Sequence, residues 1–357
     1  MMDLNFYKGK KVFVTGHTGF KGSWICQVLL KAGAEVTGYA LESPEERNLF
    51  DTLKLSEHMH SINGDIRDYE NLLKAIRENC PEILIHMAAQ PIVRESYKNP
   101  LYTYETNVMG TVNLLEAVRN TDTVRSFVNV TTDKVYLNRE WDWGYRENEE
   151  LNGYDPYSNS KSCSELVTAS YRRSFFESRD MAISTLRAGN VIGGGDFAKD
   201  RIVPDCVRAA EKAESIIIRN PDAVRPYQHV LEPVTAYLLV AQKQYDDKSL
   251  EGAYNIGPEE SNCITTGQVA TLFCRKWEEL SGGRQEWVVR GDYGPHEAKL
   301  LRLDCTKIKN TFGWKPVWSM ERAVEETAEW YYRFLSKENM CDFTEKQIER
   351  YLVHEKH

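Results

Sequence analysis

Short apolar segments alternate with amphipathic ones along the first half of the chain. Each apolar run ends in a small or polar residue, as buried strands do. The predicted strands are Lys11–Thr15, 36–39, 60–64, 83–87, Ser126–Val130 and 182–186. Helical periodicity occurs at 23–31, Tyr69–Asn79, 102–119 and 156–177. This alternation predicts an α/β fold with a doubly wound, Rossmann-like parallel sheet and helices on both of its faces.

The pattern changes after residue 188. Three successive glycines at 193–195, several prolines and shorter elements replace the regular alternation. This change predicts a smaller α/β substrate lobe, while helical periodicity at 232–245 predicts a segment that packs back on the first domain. The predicted division is 1–188 for a dinucleotide domain, with 226–256 packing back on it, and 189–225 with 257–357 for the substrate lobe.

Two segments near the end of the chain also carry predictions. Residues 319–335 have the periodicity of an amphipathic helix. The last segment, 344–357, is highly charged, and we expect it to be loosely held.

The first predicted strand runs directly into a glycine-rich turn. Its sequence is Gly16-His17-Thr18-Gly19-Phe20-Lys21-Gly22. Small residues let the backbone approach a pyrophosphate, and the N–H groups at the start of the following helix point towards it. This strand–turn–helix context predicts a dinucleotide site, and the Gly-x-x-Gly-x-x-Gly spacing indicates a variant of the standard fold.

Tyr157 and Lys161 lie four residues apart at the start of a predicted helix, so both side chains leave the same face. A tyrosine side chain has an ordinary pKa of ~10, and a cation about 4 Å away at a dielectric constant of about 20 favours the phenolate by about 4 kcal/mol. Lys161 and an oxidised nicotinamide would supply such cations. The pair therefore predicts a tyrosinate base, although a Tyr-x-x-x-Lys pair without the glycine turn would be an ordinary helical pair.

Other conspicuous residues follow the predicted strands. Ligands of doubly wound sheets bind beyond the carboxyl ends of the strands. The residues expected there are Asp65 after the third strand, Ala88-Ala89-Gln90 after the fourth and Thr132-Asp133-Lys134 after the fifth. Because Asp133 and Lys134 directly follow an apolar strand, we favour a functional pair over a solvated one.

Composition narrows the class of protein. The chain has 45 basic and 53 acidic residues, a net charge of −8 that argues against a general nucleic-acid binder. Its eight cysteines are scattered without a Cys-x-x-Cys pair, so we expect neither disulfides nor a metal site, and a cytoplasmic location. No run approaches the ~18 apolar residues of a membrane span, and the start of the chain has no signal-like apolar core.

Several stretches resemble the extended short-chain dehydrogenase/reductase family of nucleotide-sugar enzymes, from about residue 10 to about residue 330. They are the glycine turn, 86–91, 106–111, 132–134, 143–149, 153–161, 187–196, 219–221, 225–233 and 303–305. The chain departs from the family pattern at Thr132, where serine is usual, and at Phe197 and Tyr227, where tryptophan is usual. None of these departures removes a proposed catalytic group.

The closer resemblance, to the 4,6-dehydratases of this family, implies an activity. It implies dehydration of CDP-glucose to a 4-keto-6-deoxy sugar, with NAD regenerated in each turnover, for bacterial surface polysaccharide such as lipopolysaccharide O-antigen. Tyr157 would be the base for C4 oxidation, assisted by Lys161 and Thr132, and Asp133 the acid for the leaving hydroxyl. Lys134 would be either the C5 base or an electrostatic stabiliser. Only the resemblance indicates that the base of the substrate's nucleotide is cytosine.

The resemblance also implies binding residues. The residues expected to bind NAD are Gly16, His17, Thr18, Gly19, Phe20, Gly22, Asp65, Ile66, Ala88, Ala89, Gln90, Asn107, Tyr157 and Lys161. Asp65 would contact the adenine or merely cap a turn, and Asn107 would hold the fifth-strand backbone or join a proton path. The second strand lacks the usual carboxylate at its end, so NADP is not excluded. Asn190, Arg201 and Arg225 would bind the diphosphate, and His296 and Arg302 the nucleotide.

Alternatives remain open at this point. The chain could be an epimerase or a net dehydrogenase of a nucleotide sugar, a dehydratase of another nucleotide sugar, or a dinucleotide sensor without activity. Asp133 and Lys134 favour the dehydratase, since C4 epimerisation needs no acid–base pair for C5 and C6. The segments 102–119 and 156–177 are expected to form a homodimer interface, with a tetramer as the alternative.

Overall fold

The computed structural model describes residues 2–43, 45–290 and 300–355. Its centre is a seven-stranded sheet in the order β11-β6-β5-β4-β1-β2-β3, and all neighbouring strands are parallel. The strands are β1 Lys11–Thr15, β2 Glu35–Ala40, β3 His60–Asn63, β4 Ile83–His86, β5 Ser126–Val130, β6 Ala182–Ala188 and β11 Ala253–Ile256. The predicted Rossmann-like class is confirmed.

Smaller two-stranded sheets lie beyond this centre. Their strands are β7 Val191–Ile192, β8 Ile216–Ile218, β9 Val224–Arg225, β10 Gln228–His229, β12 Ile264–Thr265 and β13 Trp287–Val289. They pair as β10 with β7, β12 with β9 and β13 with β8. These three pairs of strands are formed by segments after residue 188, where the regular alternation of strands and helices ends.

Helices cover the sheet and build the remaining structure. They are α1 Phe20–Lys31, α2 Leu49–Thr52, α3 Tyr69–Asn79, α4 Val93–Lys98, α5 Pro100–Tyr104, α6 Gly110–Arg119, α7 Pro156–Tyr171, α8 Ile202–Glu211, α9 Leu231–Asp246, α10 Thr266–Ser281, α11 Thr306–Phe312, α12 Met320–Leu335 and α13 Met340–Glu355. Among the described residues, no helix is both long and apolar enough to cross a membrane.

Two of the predicted helices contain wider turns. The segment predicted at 102–119 is divided between α5 and α6 by a π-helical turn at Glu105–Met109. The segment predicted at 156–177 is α7 followed by a second π-helical turn, Arg172–Phe176. Such turns shift the faces that the flanking residues present, which a regular helical period does not predict.

Alternating residues of the sheet enter two separate cores. Val12 and Val14 of β1 lie in one core with Trp24 of α1. Phe13, between them in sequence, lies in the other core with Phe127 of β5. Because side chains alternate along a strand, a strand covered on both faces must be apolar throughout, which is why these strands read as unbroken apolar runs.

The segment between residues 231 and 256 completes the sheet. Helix α9 packs against β5, where the Ser126 hydroxyl donates to the Ala241 carbonyl at 2.8 Å. Strand β11 pairs with β6, in register from Ala253 beside Thr185. The division of the chain into two domains remains a prediction.

The expectation of a loosely held segment at 344–357 is wrong for its described part. Helix α13 buries Phe343, Ile348 and Tyr351. The Tyr351 hydroxyl donates to Glu232 Oε2 at 2.6 Å, and Glu232 is itself buried in α9. Apolar residues at helical spacing thus outweigh the local excess of charge.

Candidate functional site

The glycine turn joins β1 to α1 with little room for side chains. Gly16 has a φ of 73°, and a Cβ there would lie 2.7 Å from the Ala88 nitrogen. A Cβ on Gly22 would lie 2.0 Å from the Gly16 oxygen. Gly19 precedes Phe20 without a side-chain cap on the helix, and a Cβ on Gly19 would meet only the Gly16 oxygen, at 3.4 Å. Uncapped N–H groups behind an open backbone fit the pyrophosphate of a dinucleotide.

His17 and Thr18 tie this turn to the neighbouring strands. His17 Nε2 lies 2.7 Å from the Ser61 hydroxyl, and the Thr18 hydroxyl donates to the Leu41 carbonyl at 2.8 Å. Burial lowers the pKa of His17 to about 4, so the ring is neutral at physiological pH. The two side chains therefore shape the turn, and His17 adds no positive charge to it.

Asp65 and Ile66 lie beyond the end of β3. Asp65 Oδ1 accepts a hydrogen bond from the Arg67 nitrogen at 2.9 Å, and Arg67 also pairs with Oδ2 at 2.6 Å. The hydrogen bonds and charge of Arg67 lower the pKa of Asp65. Ile66 is buried against Gly110 of α6. The geometry is that of the turn cap, the alternative to an adenine contact in the sequence analysis.

Ala88, Ala89 and Gln90 follow β4 beside the glycine turn, and Asn107 fixes the last of them. Asn107 Oδ1 accepts from the Gln90 nitrogen at 2.8 Å, and Nδ2 donates to the Gln90 oxygen at 3.1 Å and to the Ser160 hydroxyl at 2.9 Å. Asn107 is therefore a buried amide with hydrogen-bond partners for both of its polar atoms, but the expectation that it holds the fifth-strand backbone is wrong. Asn107 lies in the π-helical turn and joins the loop after β4 to α7.

Tyr157 and Lys161 lie on the first turns of α7, and Lys161 is almost fully buried. Lys161 Nζ donates to the Val130 carbonyl at the end of β5, at 3.2 Å. Burial, and then the charge of Lys21, lower the pKa of Lys161 to about 7. Burial raises the pKa of Tyr157 to about 12, whereas the nearby Thr132 hydroxyl lowers it. Since burial opposes ionisation of the phenol, a tyrosinate depends on nearby cations.

Thr132, Asp133 and Lys134 form a continuous polar group at the end of β5. The Thr132 hydroxyl donates to Asp133 Oδ1 at 2.9 Å, and Lys134 Nζ donates to the same oxygen at 3.0 Å. Lys134 Nζ also donates to Asn190 Oδ1 at 3.1 Å. Asp133 is fully buried, whereas Lys134 is partly exposed. The structure thus brings together a hydroxyl, a carboxyl and an amine beside Tyr157.

A buried ion pair that the sequence analysis missed supports this edge of the sheet. Glu165 and Arg187 are each 3% exposed and make two contacts of 2.9 Å, Nε to Oε1 and Nη2 to Oε2. Glu165 also accepts from the hydroxyls of Thr131 and Thr185, so one carboxylate joins α7, β5 and β6. Its position four residues after Lys161 was the available signal, since residues at that spacing share a helix face.

Lys21, inside the glycine turn, was also missed as a site residue. Burial, and then the charge of Arg201, lower the pKa of Lys21 to about 8, while Asp133 and Asp196 oppose this shift. Lys21 therefore lies within electrostatic reach of Asp133 and Lys134. The sequence feature that could have identified Lys21 was its position as a charged residue between Gly19 and Gly22.

The residues predicted to bind the substrate are more scattered. Asn190 contacts Lys134, and Arg201 pairs with Asp196 at 2.7 Å. Arg225 is nearly buried and donates to the Val224 carbonyl at 3.0 Å. Arg302 pairs with Glu260 at 2.6 Å and donates to the Asp142 carbonyl. His296 lies outside the described residues.

Arg302 lines a cleft of about 290 Å³ that also includes Trp143 and Pro226. Pro226 directly follows Arg225 in sequence, but among the described residues that line this cleft Arg302 is the one predicted to bind substrate. A larger cleft, of about 620 Å³, opens beside the amino ends of β1 and β2 and contains none of the predicted site residues. Ligands of parallel sheets bind at the opposite, carboxyl ends, so the smaller cleft is the better candidate.

The site can therefore exchange a proton with a hydroxyl through Tyr157 and apply an acid and a base nearby. Residues 13–327 match the family model described as GDP-mannose 4,6 dehydratase. The chain is 47% identical to a CDP-glucose 4,6-dehydratase of Salmonella typhimurium, over 99% of both chains. It is 25% identical to a dTDP-glucose 4,6-dehydratase of Xanthomonas campestris, over 89% of this chain and 92% of that one.

Solved structures of similar fold are consistent with this match. A UDP-glucose 4-epimerase of Thermus thermophilus, in complex with NAD, is 26% identical with a TM-score of 0.76, over 90% of this chain and 98% of that one. A dTDP-glucose 4,6-dehydratase of Bacillus anthracis, also in complex with NAD, is 23% identical with a TM-score of 0.74, over 91% and 97% of the two chains. The chain belongs to the GDP-mannose 4,6-dehydratase family of extended short-chain dehydrogenases/reductases.

Proposed function

We propose that this protein is a hydro-lyase that converts CDP-glucose to CDP-4-dehydro-6-deoxyglucose, with NAD regenerated in every turnover. The observation that carries the reaction class is the Asp133–Lys134 pair beside Thr132 and Tyr157. The 47% identical relative named CDP-glucose 4,6-dehydratase supports the choice of nucleotide.

Tyr157 and Thr132 serve the oxidation of the sugar at C4. Tyr157 takes the proton of the C4 hydroxyl, and the charged form of Lys161, present in about half of the molecules near pH 7, favours the phenolate. Thr132 donates a hydrogen bond to the same oxygen as it becomes a carbonyl. NAD, which the glycine turn from Gly16 to Gly22 would hold, would supply a hydride acceptor for the C4 hydrogen and a hydride donor to C6.

Asp133 and Lys134 serve the elimination of water. The C4 carbonyl makes the C5 hydrogen acidic, so a base can remove it while an acid protonates the departing C6 hydroxyl. Lys134 Nζ and Asp133 Oδ1 lie 3.0 Å apart. Transfer of one proton across this contact yields a neutral amine and a carboxylic acid, the required base and acid. A substrate that covers the pair removes water from it and favours its neutral form.

Separate incubations with CDP-, dTDP-, UDP- and GDP-glucose test the reaction and its nucleotide. We expect the CDP-glucose product to be lighter by one water, as measured by mass spectrometry, without accumulation of reduced nicotinamide. A product of unchanged mass would instead identify an epimerase. Net formation of reduced cofactor would identify a dehydrogenase.

Substitution of Lys134 tests the division of labour. Lys134→Met should leave C4 oxidation measurable, as absorbance of reduced nicotinamide in a single turnover, and lower the dehydration rate by at least ~10²-fold, the usual contribution of a general base. Lys134→Arg keeps the charge but cannot act as a base. Equal loss of dehydration in both variants supports the base, whereas activity in Lys134→Arg would support the electrostatic stabiliser. Loss of both steps would contradict the division.

We also propose a homodimer formed by the segments 102–119 and 156–177 with their copies. The helical segments from α5 to the end of the second π-helical turn expose large apolar side chains at Leu101, Met109, Leu166 and Phe175. Such a group of apolar residues is typical of a subunit interface. Leu166→Glu should lower the molar mass measured by light scattering from that of a dimer to that of a monomer. A tetramer in the unmodified protein would add a second interface to this one.

A cytoplasmic location and a role in bacterial surface polysaccharide complete the proposal. The eight cysteines are free thiols, which fits a reducing compartment. Loss of the gene should remove the derived deoxy sugar from lipopolysaccharide O-antigen, as measured by sugar analysis. An unchanged sugar composition would contradict this role.

A further inference from the structure

Two polar atoms near the catalytic group have no hydrogen-bond partner among the described residues. They are the Tyr237 hydroxyl on α9 and Asp133 Oδ2. Both side chains are 0% exposed. Buried polar groups are almost always hydrogen-bonded, because an unpaired one costs free energy. Tyr237 was not among the predicted site residues, and the reaction derived above makes no use of it.

The packing of α9 on β5 brings these two atoms to the same end of the sheet. The start of β5 contacts the later part of the helix, through Ser126 to Ala241 and through Gln244 Nε2 to the Phe127 carbonyl at 3.0 Å. The helix therefore runs opposite to the strand. Tyr237 lies about one turn before Ala241, towards the carboxyl end of β5, and Asp133 lies three residues beyond that end.

The electrostatics agree with this placement. Burial raises the pKa of Tyr237 well above its ordinary value, and the nearby acidic groups Tyr157 and Asp133 raise it further. The phenol thus stays protonated and is available as a donor. Asp133 Oδ1 already accepts from Thr132 and Lys134, so Oδ2 is the oxygen that remains to accept.

We propose that Tyr237 is a positioning residue for Asp133. Its phenol donates towards Asp133 Oδ2 across one water, and so holds Oδ1 on Lys134. This role rests on the proposed function, in which Asp133 is the acid of the elimination. It separates the two halves of the reaction, because C4 oxidation uses Tyr157 and Thr132 and does not need the Tyr237 hydroxyl.

Tyr237→Phe tests this separation. We expect an unchanged KM for CDP-glucose and an unchanged single-turnover rate of C4 oxidation. Dehydration should slow by about tenfold to a hundredfold, as expected for a misplaced catalytic group. Reduced nicotinamide and the 4-keto hexose nucleotide should then accumulate, whereas neither accumulates in the unmodified enzyme. A purely structural role would lower both rates together through loss of folded protein.

Tyr7→Phe is the matched control. Tyr7 is also fully buried, and its hydroxyl donates to the carbonyl of Leu238, the residue next to Tyr237 in α9, at 2.5 Å. Its loss should lower the melting temperature without accumulation of the intermediate. If the ratio of 4-keto intermediate to dehydrated product is the same for Tyr237→Phe and for the unmodified enzyme, the proposal is overturned.

A double variant covers the case in which Tyr237→Phe is poorly folded. Asp133→Asn with Tyr237→Phe should dehydrate no more slowly, per folded molecule, than Asp133→Asn alone, because both changes act on one group. Additive losses would overturn the proposal. If Asp133→Asn still dehydrates normally, the proposed acid is wrong. If Asp133→Asn slows dehydration but Tyr237→Phe does not, the proposed function stands and the positioning role of Tyr237 is overturned.

Discussion

The catalytic half and the substrate half of the candidate site are held in different ways. Lys161 and Asp133 are buried and are fixed by contacts with the end of β5 and the residues that follow it. Arg201 and Arg302 are partly exposed and pair with the carboxylates of Asp196 and Glu260. The proposed catalytic groups are therefore held in place by the fold itself. Each arginine can exchange its carboxylate partner for the group that it is predicted to bind, the diphosphate for Arg201 and the nucleotide for Arg302. The cost is smaller for Arg302, because Glu260 is exposed whereas Asp196 is buried.

The largest effect is expected from the catalytic half. Tyr157→Phe removes the proposed base and should lower kcat by about 10³-fold with little change in unfolding free energy. Tyr171→Phe is the control on the same helix, because its hydroxyl donates to Glu116 Oε2 at 3.4 Å, remote from the proposed base. Steady-state kinetics and denaturant unfolding measure both. A Tyr157→Phe enzyme within tenfold of the unmodified rate would remove the contrast between the halves.

The buried ion pair beneath the catalytic half should dominate stability. Arg187→Met leaves the Glu165 carboxylate buried without its partner, which costs about 3–5 kcal/mol of unfolding free energy. Lys74→Met is the exposed counterpart: Lys74 pairs with Glu78 one helical turn away at 3.9 Å, and we expect about 0.5 kcal/mol or less. Urea unfolding gives both values. Similar losses in the two variants would show that burial does not distinguish the pairs.

Lys161 should give the catalytic half a pH-dependent stability. Its pKa is about 7 in the folded protein against an ordinary 10.5, so between these values the unfolded chain binds more protons and stability rises with pH. Lys161→Met removes this cost, so the variant should have the larger unfolding free energy near pH 7. The difference between the variant and the unmodified protein should shrink by about 2 kcal/mol from about pH 7 to about pH 9. A constant difference between the two proteins would mean that Lys161 stays charged when folded.

The smallest effect is expected in the substrate half. Arg201→Met should raise the KM for CDP-glucose about tenfold and change kcat little, because one charge-assisted contact is lost. Arg47→Met is the control, since Arg47 forms its exposed ion pair with Glu211. A fall in kcat larger than the rise in KM would place Arg201 with the catalytic groups.

Local patterns predicted the architecture and part of the site. Strands covered on both faces must be apolar, so β1, β4, β5 and β6 were visible as runs. The glycine turn was visible because strand, turn and helix are contiguous in sequence. Residues that meet only after folding were not visible. Glu165 and Arg187 are 22 residues apart, and the partner of Asn107 depends on a π-helical turn.

The C-terminal helix α13 also shows that contacts between distant segments cannot be predicted from local sequence. Its buried residues, among them Phe343 and Gln347, are separated by charged ones, so charge density suggested a mobile tail. Gln347 Nε2 instead donates to Glu326 Oε2 at 2.7 Å, within α12. A polar residue can thus belong to an interior when its partner comes from a distant segment.

The bond between Tyr351 and Glu232 has a practical consequence for anyone who shortens this protein. The Glu232 carboxylate also accepts from the backbone nitrogens of Val317 and Trp318. A chain that ends before Met340 lacks α13, so the Glu232 carboxylate would be exposed to solvent. Glu232 lies in the first turn of α9, the helix that also contains Tyr237. Trimming should therefore slow the elimination step as well as impair solubility, so crystallisation variants are better shortened elsewhere.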